Sequence, residues 1–290
     1  MTEWHWRSRW PAPAKLNLFL HVVGRRADGY HLLQTLFRFV DHGDLLRFSP
    51  RDDGQVVLAT PLPGVPPEND LTVRAARLLQ SEANENTDEL SGAGFRAGVT
   101  IHLEKHLPLG GGLGGGSSDA ATVLLALNHL WGLHLPRQRL QQIGLALGAD
   151  VPIFVYGRNA FAEGIGEDFT PVALPPAWYL VLVPPVQVPT ADIFRSPHLR
   201  RDTPAIVAAD WRPGFGGNDL ESVAIALHPP VAEALSWLSG FAPARMTGSG
   251  ACVFAEFGSR AAAENVLAQR PQGMVGWVAE GLPAHPLAGL

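Results

Sequence analysis

A single cysteine, Cys252, stands among 290 residues. It has no partner for an intramolecular disulfide and suits a reducing compartment, so a cytoplasmic location is expected. No apolar run approaches the ~18 residues that a membrane-spanning helix needs. The opening stretch, MTEWHWRSRWPAPAK, mixes tryptophans with charges and contains no continuous apolar segment, so it does not read as a secretory signal. Basic charge is also short. Lys and Arg number 22 against 27 Asp and Glu, a net charge of −5, and no global positive field invites nucleic acid or an anionic membrane. An anionic ligand must therefore be met by local groups, and the expected partner is a small molecule. The pair His102 and His106 lies four apart, but in an alternating strand pattern with Glu104 misplaced for a zinc-protease helix, so no metal site is expected there.

Hydrophobic residues make up 46% of the chain and charged residues 17%, enough for a substantial core in two domains, divided by composition at about residue 160. The most informative segment is Leu107 to Ala121, LPLGGGLGGGSSDAA, where six glycines run straight into a helical pattern. Without Cβ atoms, Gly110, Gly111, Gly112, Gly114, Gly115 and Gly116 can take positive φ and turn their N–H groups onto a phosphate. Ser117, Ser118 and Asp119 read as the cap and first turn of an amphipathic helix ending near Gly132, whose N-terminal dipole would face the same anion. A flexible linker is the plainer alternative, but the run is bracketed by a strand-like segment, Val99 to Leu103, and by that helix rather than by polar low-complexity sequence. No lysine follows in the G-x-x-x-x-G-K-[ST] order of a P-loop. No acidic residue ends a second strand about twenty residues on, as a dinucleotide fold requires.

Elsewhere the pattern predicts an α+β chain. In Ala14 to Val22 the even positions are apolar, so Leu16, Leu18, Leu20 and Val22 share one face and Lys15 and Asn17 the other. Asp28-Gly29 makes a turn before Tyr30, His31 and an apolar run from Leu32 to Phe39. Residues 41–44 read as a further turn into Leu45 to Phe48, and Val56 to Leu58 as a short strand. Leu71 to Leu79 reads as a helix, residues 81–98 as a surface loop, and Pro136 to Leu147 as a second helix closed by Gly148. Asp150 then stands before an apolar run, Val151 to Tyr156, read as a strand. There a carboxylate can project into a cleft or simply serve a turn. Beyond Pro175 the pattern alternates strands (Trp178 to Val183, Ala251 to Phe257, Gly276 to Ala279) with helices (Leu220 to Leu227, Val231 to Leu238, Ala261 to Gln269). Met246 to Cys252 forms a second small-residue turn. Neighbours on a strand point to opposite faces, so Tyr30 and His31 can serve one ligand only if the chain turns locally; a half-buried Tyr and an exposed His are the plainer outcome.

Five motifs in order carry a resemblance that covers nearly the whole chain: Pro-Ala-Lys-Leu-Asn-Leu-Phe-Leu, Arg-Ala-Asp-Gly-Tyr-His, Gly-Gly-Gly-Leu-Gly-Gly-Gly-Ser-Ser, Gly-Ala-Asp-Val-Pro and Thr-Gly-Ser-Gly-Ala-Cys-Val-Phe. The sequence resembles the GHMP kinases (galactokinase, homoserine kinase, mevalonate kinase and phosphomevalonate kinase), and in detail the branch acting on a cytidine-diphosphate-linked methylerythritol in the non-mevalonate isoprenoid route. The resemblance implies a two-domain α+β architecture. Residues 1–160 would form an ATP-binding domain like domain 2 of ribosomal protein S5, and 161–290 a ferredoxin-like α/β plait, with the active site between them. It implies ATP-dependent phosphorylation of the 2-hydroxyl of that substrate, with Mg²⁺ on the nucleotide and no identified metal ligand.

The same resemblance implies roles. Asp150 would accept the hydroxyl proton and Lys15 would neutralise the reacting oxygens. Pro108, Leu109, Gly110, Gly111, Gly112, Leu113, Gly114, Gly115, Gly116, Ser117 and Ser118 would wrap the triphosphate, with Lys105 nearby. Tyr30, His31 and Phe194 would hold the cytosine, and Asn17 and Thr190 would line the polyol diphosphate. Phosphoryl transfer asks a protein mainly for alignment and charge neutralisation, which these groups supply. A GHMP kinase for another small alcohol, such as homoserine or mevalonate, and a non-catalytic nucleotide-binding regulator are the alternatives. Lys15 and Asp150 together speak against the regulator. Residues 195–217 match no motif, and Gly115-Gly116 before the serines leaves open which serine approaches the metal.

Overall fold

The computed structural model describes residues 4–85 and 96–290; of the loop expected over 81–98, residues 86–95 fall outside them, while residues 81–85 instead continue the preceding helix and Gly98 opens a strand. Two strands, β1 (Trp10–Arg25) and β2 (His31–Arg51), form a long antiparallel ribbon around the Asp28-Gly29 turn. β2 does not break at residues 41–44 as the sequence suggests. Gly43 lies opposite Pro13, where any Cβ would collide with the Ala12 carbonyl, so this glycine lets two backbones touch rather than turn. Register slips at Pro13/Lys15, Asn17/Leu20 and Val22/Gly24 coil the ribbon, and both of its faces are buried.

β3 (Val56–Leu58) runs parallel to β4 (Gly98–Glu104); β4 and β5 (Ala160–Glu163) both pair with β2, and β6 (Asp168–Pro171) pairs with β5 to complete a six-stranded sheet. Four helices pack with this sheet: α1 (Leu71–Glu85), α2 (Gly115–Leu130), α3 (Arg137–Leu145) and α4 (Val151–Tyr156).

Two expectations are corrected here. α2 starts two residues before Ser117, with left-handed Gly114 (φ 74°) as its N-cap. Ser117, Ser118 and Asp119 thus belong to the helix rather than cap it, and the helix is buried without interruption from Ser118 to Leu127 instead of showing one apolar stripe. The run Val151 to Tyr156 is a helix, not a strand. Pro152 sits in its first turn, where a missing N–H costs nothing, and left-handed Gly157 (φ 78°) ends it. All of Val151 to Val155 are buried, and a short apolar run enclosed on every side has no periodicity to betray its type.

The second layer is a four-stranded antiparallel sheet of β7 (Trp178–Val183), β8 (Ala244–Met246), β9 (Val253–Phe257) and β10 (Val275–Glu280) in the order β10-β7-β9-β8. With α6 (Glu221–Leu227) and α7 (Pro229–Ser239) before β8 and α8 (Arg260–Leu267) before β10, it has the β-α-β-β-α-β arrangement of a ferredoxin-like plait. An additional short helix, α5 (Thr190–Arg195), follows β7. The first sheet takes in strands up to Pro171 and the second begins at Trp178, so the change of sheet falls after residue 171. The two sheets share a core in which Leu16, Phe19, Leu36 and Phe161 meet Tyr179, Val181 and Phe254. This contact fixes the ribbon end that carries Lys15 against the turn after β8.

Candidate active site

The glycine run is folded tightly rather than loose. Gly110, Gly112 and Gly114 have φ of 69°, 73° and 74°, a region that L side chains rarely adopt. A Cβ on Gly112 would collide with the Thr247 carbonyl, and one on Gly114 would lie 2.8 Å from the Phe154 ring. Three backbone hydrogen bonds pin the loop: Lys15 N–H donates to Leu113 O (3.0 Å), Cys252 N–H to Gly111 O (3.2 Å), and Ser118 N–H to Gly114 O (2.8 Å). The run is thus pressed between the first strand, the Thr247–Cys252 turn and the start of α2, and the linker reading has no support. Burial pushes the Cys252 thiol up to about 12, so it acts as packing beneath Gly111.

Beside this loop lies a cavity of about 330 Å³ whose wall includes Lys15, Asn17, Gly110, Gly112, Asp150 and Thr190. Lys15 is 2% exposed, and its ammonium lies 3.3 Å from Asp150 Oδ2. It also donates to Asn17 Oδ1 (2.6 Å) and to Gly112 O (2.9 Å). Strand alternation had put Lys15 and Asn17 on one face, and their direct bond follows from it. Asn17 is held in turn: its amide donates to Thr35 Oγ1 (2.9 Å), and its backbone N–H donates to Thr247 Oγ1 (3.0 Å). Asp150 stands at the N-cap of α4 without capping it through its side chain, so the carboxylate, 38% exposed, is free to face the cavity.

A second cavity of about 640 Å³ adjoins the first, sharing Leu33, Ala149, Ile165 and Phe194 with it. Tyr30, just before β2, and His31, its first residue, both line it. The His31 and Phe194 rings lie 4.9 Å apart at 32°, and Tyr30 is 63% exposed at the mouth. Arg201 donates from Nε to His31 Nε2 (3.0 Å). Burial lowers the His31 pKa, and the charges of Arg201 and Arg25 lower it further.

The family model described as "GHMP kinases N terminal domain" matches residues 70–158, and "GHMP kinases C terminal" matches residues 206–275. The chain is 65% identical to a 4-diphosphocytidyl-2-C-methyl-D-erythritol kinase of Dechloromonas aromatica (strain RCB), over 96% of this chain and 98% of that one. It belongs to the GHMP kinase family. A kinase of the same name from Thiobacillus denitrificans is 59% identical over 96% of each chain. A crystal structure of 4-(cytidine 5'-diphospho)-2C-methyl-D-erythritol kinase superposes with a TM-score of 0.76 at 35% identity, over 94% of this chain and 99% of that one. A homoserine kinase from Cytophaga hutchinsonii, at 18% identity and a TM-score of 0.60 over 96% of this chain and 94% of that one, shares the fold.

Within this GHMP kinase the residues expected at the nucleotide loop separate into groups. Gly110, Gly112 and Ser117 line the cavity that also holds Lys15 and Asp150. Pro108, Leu109 and Gly111 border a different hollow, shared with Pro184, Pro185 and Cys252. Leu113 is buried in the core between the sheets, while Gly114, Gly115 and Gly116 form the N-cap and first turn of α2. Of the two serines, Ser118 is fully buried and donates to Pro13 O (2.7 Å), leaving Ser117 as the one that faces the cavity.

Lys105 does not line that cavity. Its ammonium is held by Asp44 (2.5 Å) and Asp119 (2.9 Å) behind the start of α2, 3.3 Å from where a Gly115 Cβ would stand. Burial raises Asp119 to about 8, with Asp44 adding to the rise and Lys105 opposing it. Among the described residues no group of three or more His, Cys, Asp or Glu could hold a metal ion, and His102 and His106 take part in none.

The sequence reading missed Arg25, Arg195 and Arg201 in the larger cavity, Thr35 and Phe37 in the smaller one, and Ile165 in both. Arg195 and Arg201 lie in the stretch 195–217 that matched no motif. Within the second small-residue turn, Gly248, Ser249 and Gly250 line the smaller cavity.

Proposed function

We propose that this chain transfers the γ-phosphoryl group of ATP to the 2-hydroxyl of 4-diphosphocytidyl-2-C-methyl-D-erythritol, releasing ADP and the 2-phosphate, in the non-mevalonate route to isoprenoid precursors. The reading rests on one observation above the others: a buried ammonium 3.3 Å from a partly exposed carboxylate, between a positive-φ glycine loop and an aromatic cavity. Asp150 accepts the proton of the attacking hydroxyl as the phosphoryl group leaves ADP. Lys15, aimed by Asn17 and Gly112 O, keeps Asp150 in place and offsets charge on the transferring oxygens. Loop N–H groups, the Ser117 hydroxyl and the N-terminus of α2 receive the triphosphate. Asn17 and Thr190 contact the polyol diphosphate, and Tyr30, His31 and Phe194 hold the base.

Mg²⁺ fits as a companion of the nucleotide. The side-chain oxygens on the cavity wall include those of Ser117 and Asp150, and magnesium usually takes one or two protein oxygens beside phosphates and water. Bound there, it would neutralise phosphate charge. A cytoplasmic site of action belongs to this reading; its support is the lone buried cysteine and, among the described residues, the lack of a helix long and apolar enough to cross a membrane.

ADP release by the purified protein with Mg-ATP tests the reading. The acceptors are 4-diphosphocytidyl-2-C-methyl-D-erythritol, the same polyol phosphate without cytidine, homoserine and mevalonate. Turnover with the first alone is expected. Turnover with homoserine or mevalonate would keep the ATP loop and discard the base site, and silence with all four despite ATP binding would leave a nucleotide-binding regulator.

A further inference from the structure

The segment after α5 has no motif, yet one of its side chains is built into the base-side cavity. Arg201 sends NH2 to the carbonyls of Phe194 (2.9 Å) and Ser196 (2.8 Å) and NH1 to Leu199 O (2.9 Å), which leaves Nε for His31 Nε2 at 3.0 Å. One guanidinium thereby ties the end of α5, with Phe194, to the first residue of β2. A guanidinium has donors and no acceptor. The ring nitrogen that meets it must present a lone pair, so the imidazole proton resides on Nδ1. Among the described residues no protein acceptor is recorded for that Nδ1–H, and His31 lines the cavity.

We propose that Arg201 is a positioning residue that fixes His31 as the Nδ1–H tautomer, so that the cavity offers a pyrimidine a hydrogen-bond donor and selects cytosine over uracil. The selectivity half rests on the functional reading above. Cytosine carries a lone pair at ring N3, which an Nδ1–H can meet; uracil carries a hydrogen there, which an Nδ1–H opposes. Arg25, paired with His31 across the ribbon, and Arg195 and Asp28, on the same cavity wall, complete the charged groups around the ring. The charge of Arg25 disfavours the imidazolium, and neither Arg25 nor Arg195 occupies Nε2.

Two measurements test this, using native protein, Arg201→Met and Arg201→Lys. The first is a long-range ¹H–¹⁵N correlation spectrum of histidine-labelled protein without substrate, with His31 assigned by its loss in His31→Gln. The Nδ1–H tautomer is expected in the native chain and in Arg201→Lys, and a shift toward the Nε2–H tautomer in Arg201→Met. The second is KM for the cytidylated substrate from pH 6 to 8. Native KM should be flat. In Arg201→Met it should rise about tenfold with pH, because the imidazolium at low pH carries hydrogens on both nitrogens and restores the donor, whereas the neutral ring turns a lone pair toward the base. KM for ATP should stay within about twofold throughout. An Nε2–H tautomer in the native chain overturns the proposal, as does a KM loss in Arg201→Met that is equal at every pH and shared by ATP. If the native protein fails to turn over the cytidylated substrate, the functional reading falls by itself, and the tautomer spectrum still decides between Arg201 and His31.

Discussion

Lys15 is one of only two lysines in the chain, and its ammonium has three donors and three partners: Asn17, Gly112 O and Asp150. Burying a charge is costly unless hydrogen bonds and an opposite charge compensate. The first two partners are neutral and held by strand and loop, so Asp150 supplies all of the compensating charge in this set. Asp150→Asn keeps the shape, removes the carboxylate proposed as proton acceptor and leaves the ammonium without its counter-ion. Turnover with the cytidylated substrate should fall by about 10²- to 10⁴-fold, the usual range for a lost general base, while KM for ATP stays nearly constant. Steady-state kinetics with both substrates varied checks this. Unchanged turnover would remove Asp150 from the mechanism and leave it as an anchor for Lys15.

At the scale of the element, α2 joins the fold to the chemistry. The glycine entry to a helix and the shared face of Lys15 and Asn17 were legible in the sequence, because a run bracketed by strand and helix patterns is a poor linker and a two-residue alternation fixes a face; the cap was not, since left-handed Gly114 takes the place expected of the serines. The strand-like reading of α4 failed because six enclosed apolar residues carry no period, and residues 195–217 were mute because Arg201 works through backbone carbonyls that no side-chain pattern encodes. The meaning of Asp119 was likewise hidden, since its partner Asp44 comes from β2, far away in sequence. Two carboxylates share one Lys105 ammonium behind the start of α2, and with both ionised this buried group would carry a net negative charge. A carboxyl raised to about 8 by burial binds its proton more tightly folded than unfolded. The resulting stabilisation is complete below the ordinary carboxyl range near 4 and is lost as pH climbs through about 8. The thermal midpoint should therefore drop between pH 6 and 9 in the native protein and drop less in Asp119→Asn, whose amide oxygen can still accept from Lys105. Equal slopes for the two proteins in a melting series would show that Asp119 is already ionised at pH 6.

For the molecule as a whole, the last ten residues carry the chain from the second sheet back across the first domain. Gly281 N–H donates to Ala177 O (2.9 Å), Leu282 N–H to Phe39 O (2.8 Å) and His285 N–H to Gly157 O (3.0 Å). Arg137 NH2 donates to Leu287, Ala288 and Leu290 carbonyls at 2.9 to 3.1 Å. The tail thus grips Gly157, the end of the six-residue helix α4 whose other end is Asp150, so the clasp and the carboxylate beside Lys15 share one short element. His285 is the buried pin of this clasp. Its Nδ1 accepts from Leu287 N–H (3.1 Å), and its ring meets Phe39 edge-on at 5.5 Å. Burial, with the Arg137 charge adding to it, lowers its pKa to about 3. The unfolded chain takes up a proton near 6.5 that the folded chain refuses, so this contribution is complete above about 6.5 and is lost as pH falls toward 3. His285→Phe keeps an aromatic ring against Phe39 and removes the titration at the cost of one hydrogen bond, worth about 1 kcal/mol. The variant should melt slightly below the native protein at pH 7.5, and its midpoint should fall less between pH 7.5 and 5, as calorimetry across that range would record. Parallel declines would mean that acid opens the molecule elsewhere first and that the tail follows.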